Sequence, residues 1–230
     1  MIKSFGKITF LFCGLLFMLA AFPVFGQEKN LTEIVINKRP LQDFGKMVGD
    51  AVSGKNTDLD APFLLEMHCV LNADGKLDGS KTKITRSGGD RRMIDLAKNG
   101  VLAFGDSGYF QYLSGFGGKD IDLLVIQDDS TFKTVIGFEM ESANRARSIT
   151  ALMSIALKYY KDKKSTPDAG ENDKDDLALL NSLTIEADGK KVTIRQAMPK
   201  ADFRNMVQKK LLKAEPGPVP NRMAKNIVSL

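Results

Sequence analysis

Two stretches of this chain run through the same order of features: a short period-two strand, an acidic turn, a second strand, then a helix. The first begins LLVIQDDSTFKTVIGFEMESANRAR and the second LTIEADGKKVTIRQAMPKADFR. In the first, Ile121 to Gln127 and Thr131 to Glu139 read as strands around Asp128-Asp129-Ser130. The helix that follows, Ser142 to Lys161, carries Ala146, Ile149, Met153, Ala156, Leu157 and Tyr160 on one stripe. In the second, Leu183 to Ala187 and Lys191 to Ala197 flank Asp188-Gly189. A helix starting near Pro199 then presents Phe203, Met206, Val207 and Leu211. One ββα unit cannot bury its own sheet face, but two can pair into a four-stranded antiparallel sheet with helices on one side. Hairpins with acidic turns are common, so the likeness is either a duplication or a shared local solution. Either way the ββα reading stands.

The preceding region reads as helix, hairpin, helix. Pro40 to Val52 has Pro40 in its first turn, Gly54 just past its end, and Leu41, Phe44, Met47, Val48, Ala51 and Val52 on the buried side. Gly45 and Gly49 leave room for another backbone beside this helix. Phe63 to Leu71 alternates as a strand, with Phe63, Leu65, Met67, Cys69 and Leu71 on one face and Glu66 and His68 on the other. Asn72-Ala73-Asp74-Gly75 supplies turn chemistry, and Lys81 to Arg86 returns as the second strand. Ser87-Gly88-Gly89 ends that strand in this reading, and Asp90 caps a helix to about Ala103 that buries Met93, Leu96, Ala97 and Val101.

The two ends read differently. Lys3 and Lys7 precede an apolar run from Ile8 to Phe25, with Pro23 and small residues before Gln27, the order of a secretory leader. The competing reading is a retained membrane anchor, since the run is near the lower length limit for spanning a bilayer. The chain is therefore expected in the periplasm or secreted from a bacterial envelope, touching the membrane only through this segment before cleavage. Beyond it the one cysteine is Cys69, so no internal disulfide is available.

The expected organisation is a leader at 1–26, an αββα domain at 27–104, and a Gly/aromatic junction at 105–120. A paired ββα domain at 121–213 follows, with a polar linker at 161–176, and a Pro-rich flexible tail covers 214–230. The fold class is α+β, with small antiparallel sheets and helices packed on one face.

Residues 40 to 104 resemble the C-terminal domain of the TonB energy-transducer family. The resemblance rests on the Val70 to Leu77 hairpin, on Ile84-Thr85-Arg86-Ser87-Gly88, and on Met93-Ile94-Asp95-Leu96-Ala97. The helix at Asp43-Phe44-Gly45 also fits versions of that domain in exported proteins. The family has a proline-rich spacer before this domain and a docking strand after its second helix. Here no such spacer precedes the segment, and Gly105 to Leu113 differs in character from that strand. The resemblance thus implies a fold and a tendency to bind partners, and not the energy-transducing role.

Composition removes several chemistries. One His excludes a polyhistidine metal centre, and a net charge of +5, two of it from Lys3 and Lys7, does not describe a nucleic-acid binder. Gly105-Asp106-Ser107-Gly108 is similar to the nucleophile motif of trypsin-like serine proteases, and His68-Cys69 to the segment around their histidine. Too few residues lie between the two to build that scaffold, and Tyr109 replaces the second glycine after the serine. His68 and Cys69 are strand neighbours and point to opposite faces, so Cys69 reads as an inert core thiol. Gly115 to Lys119 lacks phosphate-loop spacing, and Asp128-Asp129-Ser130 is ordinary turn chemistry without the spacing of a calcium loop. No cofactor or metal is expected.

The leading expectation is an exported, non-catalytic protein that binds a protein or peptide partner through its sheet edges. Two alternatives remain open. One is an extracytoplasmic hydrolase with its site in the Gly105 to Lys119 loop, whose suspect groups are Asp106, Ser107, Tyr109 and Tyr112; the same four with Phe116 make up a candidate binding loop. The other is an assembly or structural factor of the envelope. The loop's plain reading is a connection whose aromatics cap the core.

Overall fold

The computed structural model describes residues 36–54, 57–72, 74–115, 117–118, 120–166 and 171–212. The leader read at 1–26 and the tail read at 214–230 lie outside the described residues. The elements, in chain order, are α1 (Arg39–Ser53), β1 (Phe63–Val70), β2 (Lys83–Gly89), α2 (Arg91–Asp106), α3 (Gln111–Gly115), β3 (Asp120–Gln127) and β4 (Thr131–Glu139). They continue with α4 (Ala143–Lys164), α5 (Glu171–Asn181), β5 (Leu183–Asp188), β6 (Lys191–Pro199) and α6 (Lys200–Leu212).

Local chemistry sets most of these boundaries. Asp90 Oδ1 accepts the Met93 amide at 2.9 Å, and Ser142 Oγ accepts the Arg145 amide at 3.2 Å, so α2 and α4 both begin on side-chain caps. Asn72 Oδ1 accepts from the amides of Asp74 and Lys76, closing the turn that Gly75 completes at φ +70°. Between β3 and β4, Asp128 Oδ1 accepts from Ser130 N at 2.8 Å and Thr131 N at 2.7 Å. The hydrogen bond from the Ser130 amide, then that from Thr131, holds the Asp128 carboxyl below its ordinary 3.8. Its contribution to stability is therefore complete above that ordinary value and is lost as pH falls through the depressed one. Asp128→Ala is expected to flatten the acid limb of a plot of urea midpoint against pH.

The strands form one antiparallel sheet in the order β2-β1-β3-β4-β6-β5. The two ββα hairpins lie side by side as the four strands β3-β4-β6-β5, and the class is α+β. The first hairpin does not form a small sheet of its own. β1 pairs with β3 along its whole length, from Phe63 opposite Gln127 to Val70 opposite Asp120. That register sets Leu65, Met67 and Cys69 beside Val125, Leu123 and Ile121, so one apolar face runs on across the join. It also removes an apolar edge from solvent.

On this face lie Phe132, Ile136 and Phe138 of β4, Val192, Ile194 and Met198 of β6, and Leu183 of β5. Helices α2, α4 and α6 pack on the strands, and the Phe203 ring of α6 stacks on Phe132 with centroids 3.7 Å apart. Helix α1 lies against α2 through Leu41, Phe44, Gly45 and Val48, while Met47, expected inside, is exposed.

Three boundaries differ from the sequence reading. β2 does not stop at Arg86 but continues through Ser87, Gly88 and Gly89, which pair with Leu65, Leu64 and Phe63. Cross-strand pairing outweighs the turn preference of the glycines. α2 runs on past Ala103 and takes Gly105 and Asp106 into its last turn. The polar stretch read as a linker at 161–176 is largely helical: Lys161 to Lys164 end α4, and α5 starts at Glu171. Lys164 Nζ reaches Asp173 Oδ1 at 2.5 Å and Asp176 Oδ2 at 2.9 Å, tying the two helices together. Burial acts to lower the Lys164 pKa, but the two aspartates outweigh it and raise it above its ordinary 10.5. Basic residues at a helix C-terminus and acidic ones at the next N-terminus also suit both helix dipoles.

Candidate binding surface

Alternation along each strand puts the polar residues on the face opposite the core. Among the described residues no helix covers this face, and it holds a shallow groove of about 490 Å³. Leu124 and Val135 make its apolar floor, pairing across β3 and β4. Charges border the floor on both sides. Toward β2, Arg86 Nε lies 3.1 Å from Glu66 Oε2. Toward β5, Arg195 Nη1 lies 2.9 Å from Glu186 Oε2.

In the middle, Asp122 Oδ1 is 3.0 Å from His68 Nδ1, and its Oδ2 is 3.8 Å from Lys191 Nζ. Lys191 reaches Asp122 by lying across Gly137, where an added Cβ would come within 2.9 Å of its Cε. All these pairs are well exposed, so each contributes little to stability. A ligand on this face meets charges already paired with one another.

His68 and Cys69 do fall on opposite faces. Cys69 is fully buried beneath the sheet, and burial, followed by the charge of Asp122, pushes its thiol up to about 12. The folded protein is therefore expected to leave Cys69 unmodified by a neutral-pH thiol reagent, with full labelling only in denaturant. Mass spectrometry of the Cys69 peptide after alkylation checks this, and rapid labelling at Cys69 in the native chain would contradict it.

No family model, curated protein or solved structure matches this chain. The residues themselves must carry the reading.

Residues 105–114 are built as a plug against the core, with Ser107, Phe110 and Leu113 buried. Asp106 ends α2, and a turn followed by the helical turn α3 carries the chain from Ser107 to Gly115. Ser107 is 1% exposed, and its Oγ donates to the Ala103 carbonyl at 2.6 Å. Its own carbonyl accepts the Asn37 amide at 3.0 Å. Tyr109 packs on Phe104 with ring centroids 4.5 Å apart, and Tyr112 is half-buried, its phenol pKa raised by burial. Phe116 lies outside the described residues. The Ser107 hydroxyl is bound to a helix carbonyl, while His68 stands on the open face of β1. Ser107→Ala is expected to cost about 1 kcal/mol of stability, read from urea unfolding, through loss of one buried hydrogen bond.

Sequence reasoning placed His68 on the polar side of its strand but did not find its partnership with Asp122. Both residues sit at polar positions of period-two strands, which is the only signal available. The partnership itself depends on β1 pairing with β3, a contact between strands that are not neighbours in the chain. Among the described residues no three His, Cys, Asp or Glu side chains are grouped to hold a metal ion.

Proposed function

We propose that this chain is an exported, non-catalytic binding protein of the cell envelope that takes an extended segment of a protein or peptide along the outer edge of β2. The observation that carries this is the state of that edge. β2 is the last strand on its side of the sheet, and all seven of its residues are exposed. The side of its backbone away from β1 is available for another strand, whose amides and carbonyls would supply the affinity. Alternate side chains of that strand would lie beside Arg86 and the open face, which supplies a basis for selection.

The edge also carries the devices that keep such strands from pairing indiscriminately. Lys83 and Arg86 place charge on it, and a bulge opposite Glu66 and Met67 leaves Thr85 as the extra residue. The resemblance to the TonB C-terminal domain points the same way in kind but not in place. That family docks partners on the strand after its second helix, and here the next strand is β3, which is paired on both sides by β1 and β4. The free edge on this half of the sheet is β2.

The test is hydrogen exchange on the full chain with peptides selected from a random display library. Binding peptides are expected to slow exchange at amides within Lys83–Gly89 and to leave those of β5 unchanged. Selected peptides that bind while leaving Lys83–Gly89 unprotected would overturn the proposal, as would a library that yields no binder.

A further inference from the structure

Helix α4 buries Ala146, Ile149, Met153, Ala156 and Leu157 against the sheet and presents a second apolar line outward. Leu152 is 40% exposed, Ile155 59% and Tyr159 61%. At spacings of three and four residues these side chains form one ridge, about 10 Å long at 1.5 Å per residue. Arg145 lies seven residues before Leu152 and Lys163 four after Tyr159, so exposed cations stand in line with both ends of the ridge. Arg147 and Lys158 are exposed along its flank. Asp162 is the one acidic residue in the helix.

We propose that this outer face of α4 docks on an anionic lipid surface. Large apolar side chains with cations beyond both ends and along one flank, against a single acid at Asp162, match the layering of a membrane interface: acyl chains beneath, negative headgroups around. Tyr159 can bury its ring and keep its hydroxyl among the headgroups, and the Lys and Arg stems can lie along the acyl boundary with their charges outside it. The shape agrees as well. The ridge is convex and has no facing groove in the described structure, which suits a fluid surface. A second copy of the helix is disfavoured by charge, because antiparallel pairing would bring Arg145 and Arg147 against Lys158, Lys161 and Lys163. This contact is separate from the leader segment.

The chain contains no Trp, so Tyr159→Trp introduces a single fluorophore on the ridge. The full-length variant is titrated with vesicles of phosphatidylglycerol and, separately, phosphatidylcholine, each prepared with and without brominated acyl chains. The indole emission is expected to shift to the blue and to be quenched by bromine in the anionic vesicles. Partitioning there should be about tenfold stronger than in neutral ones, weaken at high salt, and fall about tenfold when Lys158→Glu and Lys163→Glu are added. The bromine quenching of an indole at position 159 and the effect of Lys158→Glu and Lys163→Glu separate this contact from any insertion of the Ile8 to Phe25 run. An unshifted emission in anionic vesicles from a folded variant would overturn the proposal. So would equal quenching in neutral vesicles, or a lipid-free blue shift that grows with protein concentration, which would assign the ridge to self-association. Leu152→Trp repeats the test on the same ridge if the first variant does not fold.

Discussion

Replacing Phe110 by alanine is expected to lower the unfolding free energy by about 3–5 kcal/mol, the range for truncating a buried phenylalanine. Phe110 is fully buried, its ring centroid lies 5.5 Å from that of Phe104, and its carbonyl accepts the Ser114 amide within the turn that becomes α3. Leu113, three residues on, is also fully buried. Truncation would leave a hole between α2 and α3 that neither can close without moving the other. The urea midpoint should fall with little change in slope, since the surface exposed on unfolding is nearly the same. A residue on a solvent-facing binding loop would instead change stability by less than about 0.5 kcal/mol. The measurement therefore tests whether Phe110 closes the core as its burial requires.

The second large effect is expected at Gly89. Its φ is +91°, and a Cβ there would lie 2.4 Å from the Pro62 carbonyl oxygen and 2.8 Å from Phe63 Cα. Both contacts are backbone and cannot swing aside. Gly89→Ala thus combines backbone strain with overpacking, together roughly 3 kcal/mol or more. Gly88 is the internal control: a Cβ there meets nothing within 4 Å, so Gly88→Ala is expected to be close to neutral. Thermal and urea unfolding of the two variants should differ sharply although the residues are adjacent. Because the Asp90 amide donates to the same Pro62 carbonyl at 3.0 Å, Gly89→Ala should also loosen the entry to α2 and the end of the β2 edge. Similar stability of the two variants would mean that β2 does not close against Pro62 in this way.

Much of the local structure was legible in the chain. Period-two alternation and turn chemistry together located the six strands, β2 by its turn alone, and the caps at Asp90 and Ser142 start α2 and α4 where their hydrogen bonds require. The errors fell where local chemistry points one way and long-range contacts another. Gly88 and Gly89 look like the end of a strand until Leu64 and Phe63 are opposite them. The charged run after Lys161 looks like a linker until Asp173 and Asp176 close on Lys164.

The candidate surface was less legible still. Lys83 and Arg86 were visible as strand residues, but their place on an outer edge depends on which strand pairs with β1. His68, Asp122 and Lys191 lie far apart in the sequence and meet only because β1, β3, β4 and β6 are neighbours in the sheet. The exposed line on α4 was hidden because the buried line accounts for the helix's period on its own.

Residue order along this chain determined where most strands and helices lie and which side of most of them is apolar, because turn chemistry, capping and periodicity act within a few residues. The tertiary structure alone decided that three hairpins share one sheet and that β2 is its open edge. Those outcomes rest on backbone pairing and burial between segments tens of residues apart, which local preference does not encode.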